Sequence, residues 1–99
     1  MKREEIELIK GTFSPQEARE VLLTILEDKV RFHNVKIMRG FETGTDSSAS
    51  QLRIKELNAS RKRVHQLVDQ AIENSTDLAI NATITITASV QNKVGQAAD

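Results

Sequence analysis

The sequence predicts an α+β fold of β-α-α-β order: a long antiparallel helical hairpin packed on a two-stranded antiparallel sheet and assembled as a homo-oligomer. Three observations carry this. Leu78 to Val90 alternates apolar and small polar residues, with Leu78, Ile80, Ala82, Ile84, Ile86, Ala88 and Val90 in one phase. Ser14-Pro15 opens a long run of helical periodicity, and a second such run starts near Ser48 after a loop with two glycines. Period two marks a half-buried strand, and recurrence at three and four residues marks an amphipathic helix.

The 99 residues are enough for one domain, assigned to 1–90, with 91–99 a polar, small-residue tail. Only three aromatics, all Phe, are available to fill a core. Domains of this size are marginal unless something beyond the core holds them. There is no cysteine, which excludes disulfides and thiolate metal sites and fits a cytoplasmic protein. Fourteen basic residues balance fourteen acidic ones, so no global charge drives the chain to nucleic acid or anionic membrane. No apolar signal region or membrane-length run is present. Glycosylation-like triplets begin at Asn58, Asn74 and Asn81, and without a secretion signal they read as chance.

Glu5 to Lys10 alternates Ile6 and Leu8 with glutamates and reads as a short strand, broken by Gly11. Ser14 then suits an N-cap, Pro15 the first helical position, and Glu17 completes a capping box. Phe13 can staple onto Ala18. The helix is expected from Pro15 to about Met38, with Ala18, Val21, Leu22, Ile25, Leu26 and Phe32 on one broad face. Gly40 to Ser47 is the loop. The second helix runs from about Ser48, with Gln51 completing a weaker capping box, to Asn74. Its apolar stripe is Ile54, Leu57, Val64, Val68, Ala71 and Ile72.

A short loop makes the helices antiparallel neighbours, and their lengths, about 36–40 Å, approach the roughly 43 Å of the long strand. The first strand is too short to cover one edge of the second. A long, uncharged Ile/Thr edge left open is an aggregation hazard, and pairing with another copy removes it.

Some polar residues fall on apolar faces. Arg61 lies in the centre of the second stripe and His65 one turn on, at its edge. Lys29, His33 and Lys36 continue the line of Ala18, Leu22, Ile25 and Phe32. Unpaired buried positive charge is expensive. These side chains must therefore snorkel to water or to Glu27, Asp28 or Glu56, fix the register of an oligomer, or meet an anion. Arg61, His65, His33, Lys29 and Lys36 are the candidate ligand-binding set. No cofactor, metal site or catalytic group is identified. The histidines lack ligand spacing, and no nucleophile stands beside an evident base. Arg61-Lys62-Arg63 points in several directions around a helix and has no Trp or Tyr for stacking, so nucleic-acid binding is the weaker alternative.

Thr-Phe-Ser-Pro-Gln-Glu-Ala-Arg-Glu-Val-Leu, then Lys-Val-Arg-Phe-His-Asn and Leu-Ala-Ile-Asn-Ala-Thr-Ile, resemble small bacterial proteins of phage or prophage type. The similarity spans Lys2 to about Ile86. No activity is established for that group. The resemblance implies a non-enzymatic, oligomeric accessory protein of a mobile element, and some such proteins sequester signalling nucleotides to counter host defence. The function expected is thus a homo-oligomeric binding protein holding an anionic small molecule, and the alternative is a structural or protein–protein adaptor.

Overall fold

The computed structural model describes residues 2–90. Its order is β1 (Arg3–Phe13), α1 (Pro15–Thr43), α2 (Ser48–Glu73) and β2 (Leu78–Thr87), which is the expected β-α-α-β hairpin-and-sheet plan. The two strands pair antiparallel as a single ribbon.

The start of α1 is the capping box read from the sequence. Ser14 Oγ accepts from the Glu17 N–H at 3.2 Å, and the Ser14 N–H donates to Glu17 Oε1 at 3.0 Å. The helix runs five residues past Met38, to Thr43, and stops at Gly44, whose φ of 71° a residue with a Cβ tolerates poorly. Gly40 therefore lies inside the helix. It is buried against the loop, with the Thr45 carbonyl oxygen 3.1 Å from where a Cβ would stand. The second N-cap is Ser47, not Ser48. Gln51 Nε2 donates to Ser47 Oγ at 2.9 Å, while Asp46 accepts from the Ser48 N–H at 3.0 Å. The Ser48 hydrogen bonds hold the Asp46 carboxyl below its ordinary pKa.

The first strand is longer than its alternation suggested. It passes through Gly11 and pairs along all of β2, from Arg3 opposite Thr87 to Phe13 opposite Leu78. The reason is an irregularity in register between Glu7 and Ile9, which leaves Leu8 as the extra residue. Directly opposed residues share a face. Before the bulge that face takes Ile6 against Ile84, and after it Ile9, Gly11 and Phe13 against Ala82, Ile80 and Leu78. The bulge thus shifts the phase by one and keeps Ile9 and Phe13 on the side of Ile6. The Phe13 ring lies 3.6 Å from where a Cβ at Gly11 would stand, an ordinary van der Waals contact, so the strand does not need a glycine here. β2 ends at Thr87, three residues short of the expected end at Val90.

The sheet is not stacked along the hairpin as expected. The radius of gyration is 16.7 Å, against about 13 Å for a compact domain of this size. The helix-proximal half of the apolar ribbon face is covered, with Ile9 buried and Phe13, Leu78, Ile80 and Ala82 half-buried. The distal half is open: Ile6 is 50 % exposed, Leu8 50 %, Ile84 41 % and Ile86 51 %. Ala18, Leu57, Val68 and Ala71 are the buried apolar residues of the hairpin seam. The ribbon therefore leaves the hairpin at an angle, and the core of a single chain is small.

Candidate functional site

The five basic residues singled out in the sequence do not converge on one site. The hairpin sorts them into four environments.

Arg61 is half-buried in the seam between α1 and α2. Its guanidinium reaches Glu27 Oε1 at 3.5 Å and Asn58 Oδ1 at 3.3 Å. A second cross-hairpin pair, Arg19 with Asp69 at 4.0 Å, repeats the arrangement nearer the sheet. In both arginines Nε is enclosed without an acceptor while the terminal nitrogens face carboxylates. This is the geometry of a stem lying on apolar surface with its charge carried to the rim. Glu27 was one of the partners considered for these cations.

His33 is buried, and its Nδ1 lies 3.1 Å from Ser50 Oγ. Sequence reasoning missed Ser50. Its position on the α2 stripe, one turn before Ile54, was the available signal. A serine beside a histidine is the pairing used for nucleophilic attack. Here both side chains are buried in the seam, so no substrate reaches Ser50 Oγ. The pair instead satisfies two polar groups that would otherwise be costly to bury.

Lys29 and Lys36 are half-buried on either side of Phe32. Their ammonium groups stand 5.4 Å and 5.5 Å from the centroid of the Phe32 ring. Residues at these spacings stack along one helix face, so the ring lies between two cations. Phe32 is 45 % exposed and meets the His33 ring edge-on at 5.2 Å. Ile25, Asp28, Lys29 and Phe32 line a shallow groove beside it. Among the described residues neither lysine has a carboxylate within ion-pair distance, since Asp28 is engaged by Arg31 at 3.1 Å.

His65 is exposed on α2 and joins neither group. Among the described residues no cluster of three His, Cys, Asp or Glu side chains could hold a metal ion. No described helix is long and apolar enough to cross a membrane.

No family model, curated protein or solved structure matches this chain.

Proposed function

We propose that the protein is a non-catalytic module that works by self-association and protein–protein contact. The observation that supports this is the uncovered distal half of the ribbon's apolar face, with Ile6, Leu8, Ile84 and Ile86 all exposed. Each such side chain is worth about 1.5–3 kcal/mol when fully removed from water. A chain with so few buried apolar residues gains substantially by covering them. Assembly of two or more copies was expected from the sequence because the first strand looked too short to cover the edge of the second. β1 pairs along all of β2, so the uncovered face now supports the reading in its place. Native mass spectrometry at micromolar concentration tests the reading. A multimer that reverts to monomer in Ile86→Asp is the expected result, and a wild-type monomer across the concentration range overturns it.

A second reading is favoured by the Lys29–Phe32–Lys36 arrangement. Two ammonium groups flanking an exposed ring suit an anion that carries a planar group, such as a nucleotide. Of the ligand set Arg61, His65, His33, Lys29 and Lys36, this reading keeps the two lysines beside Phe32 on α1. Titration with a nucleoside triphosphate, followed by amide chemical shifts, checks it. Shifts centred on Phe32 that vanish in Lys29→Ala/Lys36→Ala support the reading, and no shifts at millimolar ligand exclude it.

A further inference from the structure

We infer that the copies join through the free edge of β2, antiparallel about a two-fold axis, to make a four-stranded sheet of order β1-β2-β2-β1. The inference rests on the self-association proposed above and says which surface performs it.

In a two-stranded ribbon each strand has one paired edge and one free edge. The two free edges differ. β1 carries Lys2, Arg3, Glu4, Glu5, Glu7 and Lys10 on or beside it, and the extra residue Leu8 interrupts its register. Charge and a bulge are the devices that stop a strand from pairing further. β2 has neither. No charged residue occurs between Leu78 and Val90, and the strand runs without a bulge of its own. Its unpaired N–H and C=O groups are the ones left open to another strand.

A two-fold axis normal to the sheet keeps the apolar face of both copies on the same side. Ile84 and Ile86 of one copy then continue the row of apolar side chains of the other, and the Thr83, Thr85 and Thr87 ladder stays on the opposite side. The same operation resolves the open distal half. Each hairpin sits on the apolar side of its own ribbon, at the Leu78 end, because Leu78, Ile80 and Ala82 are covered there while Ala79, Asn81 and Thr83 are exposed. Antiparallel pairing of β2 with its copy places the partner's hairpin end beside the Thr87 end of this strand. The uncovered Ile6, Ile84 and Ile86 therefore come to lie next to the second hairpin. Pairing through β1 puts two charged, bulged edges together and leaves β2 still open. A second copy at the β2 edge meets both needs at once, which is why it is the occupant.

The absence of cysteine makes the test direct. Single-cysteine variants Asn81→Cys, Thr83→Cys and Thr85→Cys place a thiol along the exposed Thr face of β2, and Glu5→Cys and Lys10→Cys do so on β1. These positions are exposed, so the substitutions leave the fold intact. Across an antiparallel two-fold only the residue near the axis meets its own copy, within about 4.5–5.5 Å between Cβ atoms. Mild oxidation is expected to give a disulfide dimer at one β2 position when the axis passes on the Thr face, or between Asn81→Cys and Thr83→Cys, or Thr83→Cys and Thr85→Cys, mixed as two proteins when it passes at Ala82 or Ile84, with both β1 positions at least tenfold slower. Fast cross-linking at β1 with slow β2 overturns the edge assignment, as does a native multimer that neither the single β2 variants nor these mixtures trap. In both cases self-association stands. A protein that is monomeric by native mass spectrometry and traps nowhere overturns self-association itself.

Discussion

His33 and Ser50 meet across the hairpin seam, Nδ1 to Oγ at 3.1 Å, although seventeen residues separate them in the chain. Both are buried, and each is the other's partner in a seam otherwise built from Ala18, Leu57, Val68 and Ala71. A buried polar pair gives little net stability when made but is costly when half of it is removed. Ser50→Ala is therefore expected to lose about 1–3 kcal/mol, because the histidine nitrogen keeps its burial and loses its hydroxyl. Urea unfolding of wild type and variant, with equal slopes, measures it. A loss below about 0.3 kcal/mol would show that the contact contributes nothing.

The Arg61–Glu27 pair makes a milder prediction. Exposed ion pairs contribute about 0–1 kcal/mol. A double-mutant cycle of Arg61→Ala and Glu27→Ala should give a coupling in that range that shrinks in molar salt. Arg61→Ala alone should cost more than the coupling, since its stem also covers seam residues. The proposed self-association should not be affected, because the pair lies within one hairpin.

The two glycines at the C-terminal end of α1 should fail for different reasons. Gly44 has φ of 71° and open space around it, so Gly44→Ala carries a backbone penalty of about 1–2 kcal/mol. Gly44→Asn recovers much of that, since Asn visits this region readily. At Gly40 the obstacle is the Thr45 carbonyl at 3.1 Å, and neither Ala nor Asn relieves it. Thermal melts of the four variants separate strain from crowding.

The capping box sets an acid dependence. The Ser14 backbone N–H, and then its side chain, hold the Glu17 carboxyl below the ordinary 4.5. A depressed carboxyl contributes stability that is fully present above the unfolded value and is lost as pH falls through the folded one. A carboxyl-carbon NMR titration should place the Glu17 midpoint below 4.5, and Ser14→Ala, which removes only the hydroxyl and keeps the backbone N–H, should move it part of the way back. An unchanged midpoint in the variant would leave the backbone N–H as the whole cause.

How far the sequence could be read varies with how local each interaction is. Ser14, Pro15 and Glu17 lie within four residues, so their cap was legible as a pattern and formed as such. The helix end was not. Gly40 looked like a stop, yet only Gly44 adopts the left-handed backbone that terminates α1. Gly11 looked like a break, yet β1 runs through it and pairs with Ile80.

By itself the sequence determined the order of elements, the two helical stripes, the uncharged alternation of β2 and the set of polar residues set into apolar faces. Periodicity reports which face a residue occupies, because that depends only on the repeat of its own element. The tertiary structure alone decided what stands opposite. It set Glu27 against Arg61 across thirty-four residues, Ser50 against His33, and Lys29 and Lys36 on either side of the Phe32 ring. It also placed the bulge at Leu8, which lengthened β1, closed one edge of β2 and left the other open. Those outcomes depend on the register and angle between elements, and neither is written in the period of any one of them.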